Sequence, residues 1–261
     1  MFIDYNNKAV LITGGTKGIG KAIGLAFARQ GAIVYLTYKW GNHNEDELYA
    51  EFADCPHKPV LIQSDVAAAD DIKSLFTTIK EKNIPLHAII SNVAFAQIVQ
   101  DMDALKKNVL DLSLNYSAWP IVSLTKTAYA VLNYYPKYIT AISSDGADIC
   151  HPGYDLAGSS KAVLETLVKY LALRLKKFGT RVNAVRPGFV DTESSRATFS
   201  PDVLAEINRK CPGIFLDPKA IAGTVLCLCS GAMDAVTGQI LVIDEGWSLV
   251  SPIQYITGNH T

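Results

Sequence analysis

The fold of this 261-residue chain is indicated first by the segment Lys8-Ala9-Val10-Leu11-Ile12-Thr13-Gly14-Gly15-Thr16-Lys17-Gly18-Ile19-Gly20. Its first part is a short apolar run, which is typical of a buried parallel strand. Glycines follow, and a helical pattern then runs from Lys21 to Gln30 and stops at Gly31. A strand, a glycine-rich turn and a helix in this order predict a phosphate-binding turn. Glycines let the backbone turn sharply and approach a pyrophosphate at the helix N-terminus.

The spacing of these glycines, Gly14-x-x-x-Gly18-x-Gly20, departs from the G-x-G-x-x-G fingerprint of dinucleotide-binding turns. An ordinary glycine-rich turn therefore remains an alternative to a nucleotide site. If the turn does bind a dinucleotide, we expect the contacts to come from Gly14, Thr16, Lys17, Gly18, Ile19 and Gly20.

Strand and helix patterns alternate along the rest of the chain. Short apolar runs predict further strands at 32–37, 59–63, 86–90, 139–142, 181–185 and 239–243. Helical spacing predicts helices at 45–54, 71–82, 108–129 and 218–230, and another from Tyr154 to a stop at Gly179. This alternation predicts an α/β fold: a Rossmann-like, doubly wound parallel sheet with helices on both faces. The ligand is then expected at the carboxyl ends of the strands.

The chain reads as one unit. It contains no internal repeat, linker or low-complexity segment, so residues 1–261 are predicted to form a single domain. Residues 193–215 contain Pro201 and Pro212 and show weak periodicity, which favours a lid over the substrate.

The composition of the chain argues against several classes of protein. The formal net charge is −1, which gives no indication of a nucleic-acid or anionic-membrane surface. The N-terminus lacks a signal-peptide pattern, and no apolar run reaches the roughly 18 residues of a membrane span. The five cysteines are scattered, and Cys227-Leu228-Cys229 has no second pair, which favours core packing over a metal site. We therefore expect a cytoplasmic protein with reduced thiols and no metal.

The end of the second predicted strand bears on the choice between two dinucleotides. In a doubly wound sheet, an acidic side chain there binds the ribose 2′-hydroxyl of NAD. This chain has Tyr38 and Lys39 there, and no acid before Glu45. Lys39 and Lys17 can instead pair with the 2′-phosphate of NADP, so NADPH is predicted in preference to NADH. Each lysine by itself is more often a solvated surface charge.

Polar and small residues follow the next two predicted strands. Asp65, followed by Val66, can accept a hydrogen bond from the adenine amino group, or it can cap the helix that starts near Ala69. Both interpretations stay open. After the fourth strand, the segment from Asn92 to Ala94 is small enough for its backbone to lie against a nicotinamide ribose.

Tyr154 and Lys161 lie seven residues apart in a predicted helix. Seven steps of about 100° come within roughly 20° of two full turns, so both side chains can share one helix face. Because an ammonium favours the phenolate, Lys161 is expected to lower the pKa of Tyr154. The tyrosine can then donate a proton or a strong hydrogen bond to an oxygen that gains charge during hydride transfer. Taken alone, the pair also fits a helix with a surface tyrosine and a surface lysine.

These pieces, in their order along the chain, resemble the short-chain dehydrogenase/reductase family over residues 8–248. The resemblance is carried by Thr13 to Gly20, Asp65-Val66, Ser91 to Ala94, Asn115, Ser144, Lys161 and Arg186-Pro187-Gly188-Phe189-Val190-Asp191-Thr192. Asn115 falls in the middle of a predicted helix, an unfavourable place for Asn unless its amide has a task.

The resemblance implies roles for these residues. Lys161 holds the ribose hydroxyls beside the nicotinamide, and Asn115 anchors a water that relays protons to it. Ser144 assists at the carbonyl oxygen of the substrate, or it makes only a hydrogen bond at the strand end. The remaining contacts, to the carboxamide of the cofactor, are expected from Pro187, Gly188, Val190 and Thr192.

One departure from the family pattern determines the predicted reaction. The family usually has Tyr-x-x-x-Lys, whereas the residue four before Lys161 is Ala157 and the tyrosine is Tyr154. This longer spacing resembles the enoyl-acyl-carrier-protein reductase branch. Segments 154–175 and 240–249 are similar to its type III, which uses NADPH. One helical turn moves the anchor of the hydroxyl by about 5 Å, which can accommodate an acceptor carbon β to a thioester carbonyl.

Other positions depart from that branch. Cys150 stands where the type III enzymes have a second tyrosine, and Ser144 stands where the type I enzymes have one. The chain therefore fits a specialised pathway, such as polyketide-type biosynthesis, as well as fatty-acid synthesis.

The resemblance thus implies NADPH-dependent reduction of the 2,3-double bond of an enoyl thioester carried on acyl carrier protein or CoA. One alternative is a carbonyl reductase or alcohol dehydrogenase of the same family, for example on a 3-oxoacyl thioester. Another is a non-catalytic member that binds NADP(H). The resemblance also implies a dimer or tetramer built on helices 108–129 and 161–177.

Overall fold

A computed structural model describes residues 4–41, 44–197 and 199–251. Within these ranges seven strands form one sheet, and every pair of neighbouring strands is parallel. The strands are β1 (Ala9–Ile12), β2 (Ile33–Tyr38), β3 (Val60–Gln63), β4 (Leu86–Ser91), β5 (Tyr138–Ile142), β6 (Arg181–Pro187) and β7 (Ile240–Ile243). Their order across the sheet is β3-β2-β1-β4-β5-β6-β7, so the winding reverses between β1 and β4, as in doubly wound folds.

Helices connect the strands. They are α1 (Gly18–Arg29), α2 (Glu45–Glu51), α3 (Ala69–Glu81), α4 (Lys107–Ser113), α5 (Pro120–Leu132), α6 (Asp155–Leu175), α7 (Glu193–Arg196), α8 (Pro201–Lys210) and α9 (Pro218–Leu228). Short 3₁₀ turns at Asp145–Ala147 and Trp247–Leu249 follow β5 and β7 at the carboxyl edge of the sheet.

The central strand β1 is apolar throughout because helices cover both faces of the sheet. Val10 and Ile12 pack into one core with Phe27 of α1. The alternate residue Leu11 points to the other face and packs with Leu75 of α3. The predicted α/β class, with a doubly wound parallel sheet between two layers of helices, is confirmed.

The predicted helix over residues 108–129 requires a correction. The structure divides it into α4, a π-helical segment over Leu114–Ala118, and α5. The N–H of Trp119 donates to the carbonyl of Leu114 at 2.8 Å, a bond that spans five residues. Pro120 follows and has no N–H to continue an α-helical ladder, so the pattern of backbone hydrogen bonds changes just before it. Asn115 lies in the widened turn.

The segment predicted as a lid, residues 193–215, contains α7 and α8; its residue 198 lies outside the described residues. None of the side chains of α8 is buried, so this helix is weakly attached to the core. A covering role for the segment stays a prediction.

Apart from Asn115, which lies in the π-helical segment, each predicted site residue follows, or packs beside, the carboxyl end of one of the parallel strands, as the doubly wound fold predicts. In the described ranges, no helix combines the length and the apolar content that crossing a membrane requires. The same ranges hold no cluster of His, Cys, Asp and Glu suited to a metal ion, and Cys229 packs in the core.

Candidate active site

The glycine-rich turn after β1 has a backbone that only glycine adopts readily. Gly14 and Gly18 have φ angles of +63° and +54°. A Cβ atom at Gly20 would lie 2.2 Å from the carbonyl oxygen of Gly14, so the turn and the start of α1 pack backbone against backbone. No side chain caps the first turn of α1, which leaves its N–H groups available to a phosphate. This cradle fits the pyrophosphate of a dinucleotide.

The other predicted residues of the turn line the open side of the cradle. Thr16 and Ile19 are half-buried, and Lys17 is exposed. Across from them lies Thr192, whose methyl group would be 3.4 Å from a Cβ atom built on Gly18. The glycine turn and the segment after β6 therefore face each other, as a shared cofactor site requires.

Asn92 secures the glycine turn from the end of β4. Its side-chain amide donates to the carbonyl oxygens of Thr13 at 3.0 Å and Gly14 at 3.1 Å. Its backbone N–H donates to the hydroxyl of Thr13 at 2.9 Å. The amide thus has a structural task in addition to the predicted cofactor contact. Ala94, two residues further, is exposed at the same edge.

The predicted 2′-phosphate site carries its own counter-ion. Lys39 Nζ lies 2.7 Å from Asp65 Oδ2 and also donates to the hydroxyl of Tyr116. Its ammonium stands 4.7 Å from the ring centroid of Trp40, and Tyr38 ends β2 beside it. Lys39 is therefore not a free cation, although the ion pair is partly exposed and open to exchange with a phosphate.

Asp65 does not cap α3, so one of its two predicted roles is wrong. The capping position is Ala68, and the carboxylate of Asp65 instead accepts from the N–H of Ala67 at 2.9 Å. Burial alone raises the pKa of Asp65, but its bonds to Lys39 and Ala67 hold that pKa below the usual value. Val66 beside it is buried. The contact of Asp65 with adenine stays a prediction.

Lys161 lies deep in the site, with 4% of its surface exposed. Its Nζ donates to the carbonyl oxygen of Ile142, the last residue of β5, at 2.7 Å. Burial lowers the pKa of Lys161 to about 8, against the attraction of the Glu165 carboxylate. Asn115 is exposed in its π-helical turn, and its predicted water relay to Lys161 stays a prediction.

Tyr154 immediately precedes the first helical residue of α6. Burial raises the pKa of Tyr154, hydrogen bonding with Ser144 lowers it, and the charge of Asp145 raises it. The expectation that the Lys161 ammonium lowers the pKa of Tyr154 is therefore wrong for this structure, because the ammonium is directed to Ile142. Ser144 also accepts from the N–H of Gly146 at 3.2 Å. The hydrogen bond at the strand end is therefore present, and the role of Ser144 at the substrate carbonyl oxygen stays a prediction.

The ring of Tyr154 is held by a glycine that sequence reasoning missed. A Cβ atom at Gly146 would lie 2.5 Å from the ring, so only glycine allows this close contact. Gly158 of α6 packs in the same way, since its Cβ would lie 2.4 Å from the carbonyl oxygen of Gly146. A glycine inside a helix is unfavourable, and that signal could have found Gly158. Ala157, where the family usually has tyrosine, is 2% exposed and faces the core.

A buried ion pair lies directly behind these residues and was also missed. Glu165, one turn after Lys161, accepts from the guanidinium of Arg186 at 2.9 Å and 2.5 Å and from Ser143 at 2.7 Å. Arg186 also reaches Asp148 at 3.0 Å. The network joins α6, the ends of β5 and β6, and the loop that precedes Tyr154.

The segment after β6 closes the site. Pro187 and Val190 are buried, and Gly188 donates its N–H to Ile243 at 3.0 Å. A Cβ atom at Gly188 would lie 3.0 Å from Asp244 Cβ, so glycine permits the close approach of the two loops. Thr192 caps α7 through a reciprocal pair with Ser195. The predicted carboxamide contacts therefore lie along one ordered segment.

The chain matches a known protein family and resembles known protein structures. The family described as Enoyl-(Acyl carrier protein) reductase matches residues 14–248. A short-chain type dehydrogenase/reductase from Mycobacterium marinum superposes with a TM-score of 0.85 at 24% identity, over 95% of this chain and 98% of its own. That likeness shows the fold alone.

Three relatives of known designation resemble the chain over nearly its full length. The 1-cyclohexenylcarbonyl-CoA reductase of Streptomyces collinus is 29% identical, over 93% of this chain and 87% of its own. The enoyl-[acyl-carrier-protein] reductase [NADH] FabI of Aquifex aeolicus is 27% identical, over 93% and 92%. The 3-oxoacyl-[acyl-carrier-protein] reductase of Synechocystis sp. is 29% identical, over 92% and 96%.

The parallel sheet and the glycine cradle, together with the family match over residues 14–248, identify an oxidoreductase of a family that uses a nicotinamide cofactor. The chain belongs to the short-chain dehydrogenase/reductase family, in the division described as enoyl-(acyl carrier protein) reductase.

Proposed function

We propose that this protein reduces the 2,3-double bond of an enoyl thioester with NADPH. The observation that carries the proposal is the position of Tyr154, which precedes α6 while Ala157 occupies the usual tyrosine position and faces the core. The displaced hydroxyl would bind the thioester oxygen of the substrate, and a bound nicotinamide would then supply hydride to the β-carbon.

In the proposed reaction, the cofactor supplies the hydride and Tyr154 stabilises the charge that develops on the thioester oxygen. When bound, the reduced nicotinamide supplies the hydride that the β-carbon receives. Tyr154 then donates a hydrogen bond to the thioester oxygen, which gains negative charge as the enolate forms. Its raised pKa keeps the phenol protonated and ready to donate at neutral pH. Ser144 lies near enough to the phenol to lower its pKa, against the effect of burial.

Lys161 and Asn115 act on the cofactor side in this proposal. The Lys161 ammonium would exchange its contact with Ile142 for the ribose hydroxyls beside the nicotinamide. Asn115, exposed in its π-helical turn, would hold the water that exchanges protons with Lys161. Pro187, Gly188, Val190 and Thr192 would position the carboxamide.

The acyl carrier is proposed to be acyl carrier protein or CoA. Two of the relatives reported above are named for enoyl thioesters, one on CoA and one on acyl carrier protein. Lys39 and Lys17, with no acid at the end of β2, support NADPH over NADH. The FabI relative is named for NADH, so cofactor preference is a necessary part of the test.

Reduction of a 3-oxoacyl thioester is the second candidate. The proximity of Ser144 to Tyr154 favours it, since two neighbouring hydroxyls can both bind one carbonyl oxygen. The Synechocystis relative is named for this reaction.

The first experiment follows NADPH oxidation with crotonyl and longer enoyl thioesters, on CoA and on acyl carrier protein, beside acetoacetyl thioester. NADH is run in parallel. Oxidation with enoyl thioesters alone, giving saturated products, supports the proposal. Oxidation with acetoacetyl thioester alone, giving a hydroxyacyl product, supports the second candidate. NADPH binding without oxidation on any thioester contradicts both and favours a non-catalytic member.

A second copy of this chain is the proposed partner in assembly. Helix α6 exposes Val163, Tyr170 and Leu173, and Trp119 is exposed at the start of the neighbouring α5. Large apolar side chains on adjacent helices need a partner surface, and a symmetric copy offers the same surface. A dimer or tetramer built on these helices is therefore expected.

A further inference from the structure

A second titratable pair lies beside Tyr154, outside the roles assigned so far. His151 Nε2 lies 3.0 Å from Asp145 Oδ2, and both side chains are largely buried. The nitrogen is enclosed and the contact departs from a straight hydrogen bond, so it acts mainly as a charge pair. The Asp145 carboxylate raises the pKa of His151, although burial opposes it.

The pair lines a cavity of about 120 Å³ beside the segment after β6 that is proposed to position the carboxamide. Gly188 and Phe189 form one wall, and Ile214 and Trp247 form another. The imidazole stands edge-on to Phe189 at 5.4 Å and to Tyr154 at 6.4 Å between ring centroids. His151 lines this cavity and Tyr154 lies next to His151 outside the lining, so an acyl group that reaches from Tyr154 into the cavity would meet His151.

Those two donors suit the two ends of an enolate. Hydride addition places negative charge on the thioester oxygen and on the α-carbon, and the α-carbon must gain a proton to complete the product. Tyr154 at the oxygen stabilises the charge but does not itself saturate the α-carbon. The imidazolium of His151 can donate a proton in the cavity that it lines. An imidazolium is a suitable general acid near neutral pH because its pKa lies close to that pH.

We propose, on the basis of the enoyl reduction proposed above, that His151 held by Asp145 donates the proton to the α-carbon. Because Nε2 is enclosed against Asp145, the Nδ1–H bond of the imidazolium is the one that breaks as a C–H bond forms at the α-carbon. The electron pair of the enolate double bond makes that new bond, and the thioester carbonyl is restored. The imidazole regains a proton from solvent through its partly exposed edge, so no further reactant is needed.

The charged groups around His151 favour its protonated form. Asp145 contacts it directly, and Asp244 lines the same cavity from the segment after β7. The Asp244 carboxylate is bound by the N–H groups of Gly246 and Ser248, each at 2.9 Å, so it remains a fixed negative charge. Tyr154 is neutral, and Asp148 is paired with Arg186.

The test uses the full-length His151→Gln variant, with Cys150→Ser as the matched control at the neighbouring exposed position. Turnover of crotonyl thioester by His151→Gln is expected to fall about 100-fold, while NADPH affinity and thermal unfolding stay near wild type. Cys150→Ser should retain wild-type turnover.

A stereochemical readout separates proton donation from packing. In deuterium oxide, wild type should place deuterium on one face of the α-carbon, whereas His151→Gln should give a mixture of both faces by NMR. Asp145→Asn keeps the imidazole but lowers its pKa, so the alkaline limb of its rate profile should move to lower pH. Because the Asp145 charge also raises the pKa of Tyr154, the same substitution is made in the His151→Gln background, where a smaller movement is expected. If the Gln variant unfolds, His151→Asn takes its place.

Three outcomes overturn the assignment. If the wild type reduces enoyl thioesters and His151→Gln keeps both its rate and its single-face labelling, the role of His151 is overturned while the proposed function stands. An Asp145→Asn rate profile that does not move overturns the role of the pair. A wild type that reduces no enoyl thioester overturns the proposed function first, and this assignment with it.

Discussion

The carboxylate of Glu165 holds the guanidinium of Arg186 at two points, 2.9 Å from Nε and 2.5 Å from Nη2. Glu165 lies on α6 one turn beyond Lys161, and Arg186 lies on β6 just before the segment proposed to position the carboxamide. Both side chains are mostly buried. The pair therefore fixes α6, which follows the tyrosine and carries the lysine, against the cofactor side of the site.

Replacing Glu165 by Gln is expected to destabilise the protein by about 3–5 kcal/mol. The substitution leaves the buried charge of Arg186 without its carboxylate, and a broken buried pair is costly. The measurement is urea unfolding at neutral pH. Asp148→Asn is the control, since Asp148 contacts the same arginine from an exposed side chain and should cost less than about 1 kcal/mol.

The double variant Glu165→Leu, Arg186→Met completes that test. It removes both charges and keeps apolar volume, so much of the lost stability should return. A double variant as unstable as Glu165→Gln would mean that shape rather than charge pairing dominates at this position.

Lys161→Met is expected to stabilise the cofactor-free protein at neutral pH by about 1–3 kcal/mol while abolishing turnover. Burial lowers the pKa of Lys161 to about 8, so the charged ammonium opposes folding at lower pH. Between about pH 8 and the unfolded value near 10.5, the unfolded state binds more protons. The contribution of Lys161 to stability therefore improves as the pH rises.

The stability difference between Lys161→Met and wild type should accordingly shrink from pH 7 to pH 10, as measured by urea unfolding. Lys169→Met, on the same helix with an exposed side chain, is the control and should show no such trend. A wild type that is more stable than Lys161→Met at neutral pH would contradict the expectation.

Tyr154→Phe is expected to lower enoyl reduction by about 100-fold or more with little change in NADPH affinity. The variant removes the donor to the thioester oxygen but leaves the ring against Gly146. Steady-state kinetics and NADPH fluorescence titration provide the measurements. Tyr170→Phe, an exposed tyrosine of the same helix, is the control. Unchanged turnover would remove Tyr154 from the proposed mechanism.

Leu173→Glu is expected to reduce the oligomeric state. Leu173 is 74% exposed on α6, in the apolar surface proposed to meet a second copy. A buried, unpaired carboxylate at that contact would be costly. Sedimentation velocity should show a smaller species than wild type. Met102→Glu, at a similarly exposed apolar position outside this surface, should leave the mass unchanged.

The fold was predictable from the sequence because its signals are local. The strand, glycine turn and helix over residues 8–30 specify one βα unit, and the alternation repeats it along the chain. The sequence analysis predicted one continuous helix across residues 114–118, because the apolar periodicity continues through Asn115 and Pro120. A proline shortly after an unfavourable helix residue was the available signal.

The pairings within the site were harder to predict because they are tertiary. Glu165 and Arg186 are 21 residues apart, and nothing local specifies their contact. A glutamate on the apolar side of a helix was the only hint. Lys39 and Asp65 follow β2 and β3, which are neighbours in this fold, so their pairing could have been inferred from strand order.

Asp65→Asn tests the role of that last pair in cofactor selection. The carboxylate lies 2.7 Å from Lys39 and competes with any phosphate for its ammonium. Without it, affinity for NADPH is expected to rise by about 10-fold, roughly 1.4 kcal/mol, while affinity for NADH changes little. Asp70→Asn, at an exposed position in the first turn of α3, is the control.

Titration of both dinucleotides by fluorescence, at low and high salt, makes the measurement specific. If the gain in NADPH affinity comes from the Lys39 ammonium released by Asp65→Asn, it should be smaller at high salt, because exposed charges are screened. If Asp65 instead accepts from the adenine amino group, Asp65→Asn should weaken NADH and NADPH alike. Equal losses for both dinucleotides would therefore assign Asp65 to adenine and leave the 2′-phosphate to Lys39 and Lys17 without a competing carboxylate.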